Sequence, residues 1–242
     1  MEEELRAWVR SARHIAVLSG AGMSAESGVP TFRDALTGLW ARFDPRQLAT
    51  EEAFRRQPQL VWDWYAERRV AVERVRPNAG HAAIAEFQQR HPGRLTVVTQ
   101  NVDGLHQRAG SPGVLALHGN LAQDRWLDAP RRCCREDAIA PGHPPRCPVC
   151  GNLRRPDVVW FGERLPQAEL EAAQTAAEAC NLLLVVGTSG EVYPAAGLAS
   201  VARHAGARVL IVNPEASALD GVATHRLRAT AARALPALLD GH

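Results

Sequence analysis

The sequence predicts a doubly wound parallel α/β sheet interrupted by a small Cys-containing insert. Three observations carry that expectation. Short apolar runs recur at Ile15–Leu18, Leu95–Thr99, Val114–Leu117, Leu182–Val186 and Val209–Val212. Runs of this length without alternation read as strands buried on both faces. Helix-period segments lie between them, the pattern of βαβ crossovers. Residues 121–155 lose that periodicity and collect Cys, Pro and Arg.

In order, residues 3–13 read as an amphipathic helix before the first strand. The strand runs into Ser19-Gly20-Ala21-Gly22-Met23-Ser24-Ala25-Glu26-Ser27-Gly28-Val29-Pro30-Thr31-Phe32-Arg33. Glycines there let the chain turn and expose N–H groups, which make an anion site when a helix N-terminus stands behind them. The other reading is a tight turn that merely needs glycine. Gly28 lies six residues after Gly22, where the dinucleotide fingerprint has three. Gly38-Leu39-Trp40 closes this loop region. Thr50 reads as an N-cap, with Glu51 and Glu52 favourable in the first turn. The helical pattern then runs to about Arg74, broken near Pro58.

A helix from about Asn78 to Gln89 precedes the second strand, which ends in Gln100-Asn101-Val102-Asp103. The third strand ends in His118-Gly119-Asn120. After the insert, Val158-Val159-Trp160-Phe161 reads as a return to strand, followed by a helix over 167–179. The strand at 182–186 ends in Gly187-Thr188-Ser189, and that at 209–212 in Asn213-Pro214-Glu215. A helix over 230–239 closes the chain.

Composition adds exclusions. The chain is 46% apolar and 22% charged with a net charge of +2. This is ordinary for a soluble globular protein and gives no ground for a nucleic-acid or membrane partner. No run of about 18 apolar residues is present, and the acidic start lacks an apolar signal core. Five cysteines, three of them close to Cys147, suggest a metal site in a reducing cytoplasm rather than disulfides. The expected protein is cytoplasmic, with a monomer favoured and the oligomeric state left open by the sequence.

Ligands of a doubly wound sheet gather at the carboxyl ends of its strands. His118 at that edge is a candidate general base; a hydrogen-bonded structural histidine is the other reading. Asn101 and Asp103 can bind a carboxamide or cap a loop. Tyr65 and Arg68, three apart on a helix, share a face. They read either as a carboxylate clamp or as a packing tyrosine beside a solvated arginine. Cys147-Pro148-Val149-Cys150-Gly151 is half a zinc knuckle. Its partner Cys133-Cys134 is adjacent, and adjacent side chains do not readily converge on one ion, so His143 stands as a substitute ligand. Cys180 reads as a core residue.

Together these stretches resemble the sirtuins, NAD-dependent protein lysine deacylases. The resemblance rests on Gly20 to Arg33, Gln100-Asn101-Val102-Asp103, Leu117-His118-Gly119-Asn120, Gly187-Thr188-Ser189 and Asn213, in that order. It implies a Rossmann-like NAD-binding lobe over 1–45, 76–120 and 156–242. A small zinc-bearing lobe would comprise 46–75 and 121–155. NAD would be held by Gly20, Ala21, Gly22, Glu26, Thr31, Phe32, Arg33, Gln100, Asn101, Asp103, Gly187, Thr188, Ser189, Asn213, Glu215 and Ala231. The acyl oxygen would attack the ribose as nicotinamide leaves, with His118 as base. The products would be nicotinamide, O-acyl-ADP-ribose and free lysine.

Acyl-lysine proteins or peptides would be the partners, bound along Val159, Phe161, Gly162, Glu163, Val192 and Tyr193. Ala49, Tyr65 and Arg68 match the branch that removes succinyl and malonyl as well as acetyl groups. A structural zinc would be held by Cys133, Cys134, Cys147 and Cys150, although the family has two Cys-x-x-Cys pairs. A mono-ADP-ribosyltransferase on the same NAD site is the alternative activity.

Overall fold

A computed structural model describes residues 2–29 and 48–240. Thr31, Phe32 and Arg33, with Gly38-Leu39-Trp40, lie outside the described residues.

Six strands form one parallel sheet: β1 (Ile15–Ser19), β2 (Leu95–Thr99), β3 (Leu115–Ala116), β6 (Leu182–Val186), β7 (Arg208–Val212) and β8 (His225–Leu227), in the order β3-β2-β1-β6-β7-β8. β1 is central, pairing in register with β2 and β6. All five residues of β1 and of β6 are buried, as their unbroken apolar runs require. The order runs outward from β1 on one side and from β6 on the other. The topological switch point is therefore between these two strands.

Helices cover both faces. One apolar cluster joins α1 (Glu2–Ser11), α5 (Ala79–Arg90) and α9 (Ala231–Leu239) to the sheet through Leu5, Val9, Ile84, Phe87 and Leu235. The other joins α7 (Gln167–Ala179) and α8 (Gly197–His204) through Ala173, Ala177, Leu198 and Ala199, with Cys180 in this core as expected. Between these come the short α2 (Gly22–Ala25), α3 (Glu51–Arg56), α4 (Pro58–Arg74) and α6 (Leu105–Arg108). Thr50 caps α3, its hydroxyl accepting from the Ala53 N–H at 3.1 Å. The expected break falls at Pro58, the first residue of α4, where a missing N–H costs nothing.

The insert departs most from expectation. β4 (Gly119–Trp126) and β5 (Arg154–Val158) pair antiparallel in a separate two-stranded sheet. No return to the central sheet occurs at Val158–Phe161. That run is apolar because Val158 and Trp160 enter a third cluster with Phe54, Val61, Trp64, Tyr65 and Leu121. The expected lobe boundary at 155/156 thus cuts through β5, and the small sheet already starts at Gly119. Among the described residues no helix is long and apolar enough to cross a membrane.

Candidate active site

At the switch point two glycine loops meet with no room for side chains. The Gly20 N–H donates to the Val186 carbonyl at 2.9 Å and the Gly22 N–H to the Gly187 carbonyl at 2.7 Å. A Cβ on Gly187, where φ is +59°, would lie 2.3 Å from the Met23 nitrogen. One on Gly22 would lie 2.8 Å from the Gly187 Cα. Glycine is required here by close backbone approach as well as by conformation. Thr188 joins this junction to β2, its hydroxyl accepting from the Gln100 side-chain amide at 3.2 Å.

Asn101 and Asp103 turn inward beside it. The Asn101 amide donates to the Gly20 carbonyl at 3.0 Å and to the Ser24 hydroxyl at 3.2 Å. Its amide oxygen has no partner among the described residues. The Ser24 hydroxyl donates to Asp103 at 2.7 Å, and the Leu105 N–H donates to the other carboxylate oxygen at 2.9 Å. Burial raises the Asp103 pKa, opposed by those two hydrogen bonds. The pair does cap its loop, and it also leaves the Asn101 oxygen available to a carboxamide N–H.

His118 follows β3. Its Nδ1 lies 2.9 Å from the Gln100 carbonyl, which can only accept. The proton therefore sits on Nδ1 and Nε2 carries the lone pair. Burial lowers the ring's pKa, against that hydrogen bond, so it is neutral near pH 7. A fixed tautomer with a free basic nitrogen is what a general base requires.

The other expected contacts spread around this edge. Asn213 and Glu215 follow β7, and the Glu215 carbonyl holds Arg228 at 2.6 Å. Glu26 and Ala231 come together: the Glu26 carboxylate accepts from the Ala232 N–H at 2.9 Å at the start of α9, and the Ala231 methyl is buried. The Ser189 carbonyl anchors Ala218 at 2.8 Å. The expected peptide residues are in irregular backbone rather than strands. Phe161, Val192 and Tyr193 are nonetheless among the exposed large apolar residues. The Val159 N–H donates to the His118 carbonyl and the Phe161 N–H to the Ala49 carbonyl, both at 2.9 Å. The Glu163 carboxylate is turned inward onto Arg155, Arg125 at 3.2 Å and the Trp160 N–H at 2.8 Å.

Ala49 and Tyr65 are buried in the third cluster. Burial pushes the Tyr65 phenol up to about 12, against the hydrogen bond its oxygen accepts from Trp160, so it is protonated at any working pH. The Arg68 guanidinium lies over the Trp64 ring and, among the described residues, has no carboxylate partner. Among the described residues this donor pair meets no carboxylate.

The four cysteines converge after all. Sγ atoms of Cys133, Cys134, Cys147 and Cys150 lie within 4.8 Å of one another, Cys134 and Cys150 at 3.5 Å. A zinc ion with Zn–S bonds of about 2.3 Å needs sulfurs about 3.8 Å apart, so the set fits it. Adjacency is no obstacle because a turn closed by the Cys134 N–H on the Arg131 carbonyl, 2.8 Å, swings both thiols inward. The backbone N–H groups of Cys150 and Val149 help lower the Cys147 thiol to about 7. His143 is no ligand; it is exposed and lies 3.5 Å from Asp63.

One feature escaped the sequence reading. His81 and His106 meet edge to face at 4.8 Å between ring centres, both buried, with His106 Nε2 at 3.0 Å from the Ser19 hydroxyl. Burial lowers His81 to about 4; burial and the neighbouring His81 lower His106 to about 3. Both rings are neutral when folded but protonate below about pH 6.5 when unfolded. The unfolded chain binds more protons, so stability should fall by a few kcal/mol from pH 6.5 to 4. Urea unfolding across that range checks this; an unchanged midpoint contradicts it.

A model of the Sir2 family matches residues 20–194. An NAD-dependent protein deacylase of Ralstonia nicotianae is 57% identical over 236 residues, 98% of this chain and 95% of that protein. A solved Sir2 homologue–NAD complex superposes with a TM-score of 0.89 at 39% identity, over 99% of this chain and 93% of that one. A Sir2 homologue mutant in complex with 2′-O-acetyl ADP ribose gives 0.87 at 40% identity, over 99% and 95%.

Proposed function

Because the chain belongs to the Sir2 family, we propose that it is an NAD-dependent protein lysine deacylase working at the switch-point edge. The observation that carries this reading is His118, its tautomer fixed by Gln100, beside the glycine junction and the Asn101 amide. NAD supplies a ribose carbon made electrophilic by departure of its nicotinamide. The Gly20–Gly22 and Gly187–Ser189 loops bind its phosphates and ribose, with Arg33 and Phe32 from the glycine-rich segment. Asn101 and Asp103 hold the carboxamide, and Gln100 the nearby ribose. Asn213, Glu215 and the Glu26–Ala231 corner take the adenosine end. His118 Nε2 accepts the proton that lets a ribose hydroxyl reach the acyl carbon. One water is consumed as the lysine amine is expelled from the acyl carbon, and the products are nicotinamide, O-acyl-ADP-ribose and free lysine.

The partner is an acyl-lysine protein or peptide, laid between Phe161-Gly162 and Val192-Tyr193 in the cleft between the two lobes. The proposed setting is the cytoplasm, where the cysteines, unpaired in the structure, stay reduced, and the enzyme acts as a monomer.

The acyl groups include succinyl and malonyl. A carboxylate entering an apolar pocket loses hydration and must be paired. Arg68 and the Tyr65 hydroxyl offer that pairing, and Ala49 leaves space. Arg68→Met should lower kcat/KM for a succinyl-lysine peptide by roughly ten-fold to a hundred-fold and spare the acetyl-lysine peptide. A proportional fall in both activities would make Arg68 merely structural.

A further inference from the structure

Trp160 lies between two residues expected to contact the peptide, yet it is fully buried. Its indole N–H donates to the Tyr65 hydroxyl oxygen at 2.9 Å. A phenol has one proton to give and two lone pairs. With one lone pair taken by an N–H that can only donate, the Tyr65 proton must turn to another acceptor. The described residues supply none, and the phenol stays protonated.

The indole is itself held. Arg155 is 1% exposed, and its guanidinium carbon sits 3.2 Å from the centre of the Trp160 ring. Arg155 is fixed by the Val158 carbonyl at 2.6 Å and by Glu163. Burial alone would raise the Glu163 carboxyl, but hydrogen bonds from Arg155 and the Trp160 N–H outweigh it and keep it charged. Phe54 closes on the ring at 5.2 Å between centroids. Glu163, Arg155 and Trp160 thus form a rigid relay ending on the Tyr65 oxygen.

We infer that Trp160 is a positioning residue for acyl specificity: by donating its indole N–H to Tyr65, it commits the Tyr65 hydroxyl to donate toward the acyl group. The inference rests on the acidic-acyl reading above and adds the residue that orients the clamp. An acyl carboxylate accepts that proton. An acetyl methyl does not, so the relay matters for one substrate class only.

The test compares Trp160→Phe, Tyr65→Phe and the double variant on succinyl-lysine and acetyl-lysine peptides, with kcat and KM resolved. Because phenylalanine is smaller than tryptophan, benzothienylalanine at position 160 serves as an isostere without the N–H. Loss of one neutral hydrogen bond should lower kcat/KM for the succinyl peptide about three-fold to ten-fold, mainly through KM. The acetyl peptide should change little, and the double variant should be no worse than Tyr65→Phe alone. Strictly additive losses, or equal losses on both peptides, would overturn the inference. Unmodified enzyme indifferent to acyl charge would overturn the acidic-acyl reading and this inference with it. Selective unmodified enzyme whose position-160 variants stay equally selective would overturn this inference alone.

Discussion

Replacing His118 with alanine should cut deacylation of every acyl-lysine peptide by about 10²–10⁴-fold, the usual contribution of a positioned general base. The ring is held through Nδ1 by the Gln100 carbonyl at 2.9 Å, which leaves Nε2 as its basic nitrogen. Burial favours the neutral ring, so the base is ready at neutral pH. The acid limb of kcat/KM should then have its midpoint below the ordinary histidine value of about 6.5. NAD binding should largely survive, because the glycine junction is built from β1 and β6 backbone and makes no use of the imidazole. Titration of NAD into the variant, beside turnover, separates the two effects. Near-normal turnover in folded His118→Ala protein would remove the assignment.

The second large effect concerns the cysteine cluster. Purified protein should carry one zinc per chain, and Cys147→Ser should lose most of it. Cys147 is the most buried of the four, its sulfur 3.1 Å from the Cys133 carbonyl at the centre of the module. Residues 127–153 carry little regular structure, two isolated bridges (Ala140 with Arg146 and Arg146 with Leu153) and one short 3₁₀ turn at Glu136–Ala138, tied by scattered hydrogen bonds such as Leu127 N–H to the Leu153 carbonyl. A structural zinc contributes its binding free energy directly to folding. Its loss should lower the melting temperature on the order of 10 °C, given about 2–4 °C per kcal/mol for a chain of this size. Elemental analysis of protein prepared without chelator checks the stoichiometry. Metal-free protein with an unchanged melting temperature would contradict the site.

The central sheet was legible because β1, β2, β6 and β7 are buried on both faces and show it as unbroken apolar runs. The residues at their carboxyl ends, from Gly20 to Asn213, followed from where such a sheet binds ligands. β4 was not legible. It is polar and partly exposed, and a register shift between Asn120 and Asp124 breaks its alternation. β8 has three residues and α8 eight, too short for a periodic signal. Convergence of adjacent Cys133 and Cys134 depends on a turn whose geometry composition does not encode. The Trp160–Tyr65 bond and the edge-to-face His81–His106 contact join residues 95 and 25 positions apart, and only the folded chain brings them together.

The most direct measurement is a mass inventory of all products after incubation with acetyl-, malonyl- and succinyl-lysine peptides, with and without NAD. Deacylated peptide, nicotinamide and O-acyl-ADP-ribose should form in equal amounts, and only when NAD is present. Free carboxylic acid released without NAD, or ADP-ribose attached to an acceptor while the acyl-lysine stays intact, would contradict the deacylase mechanism.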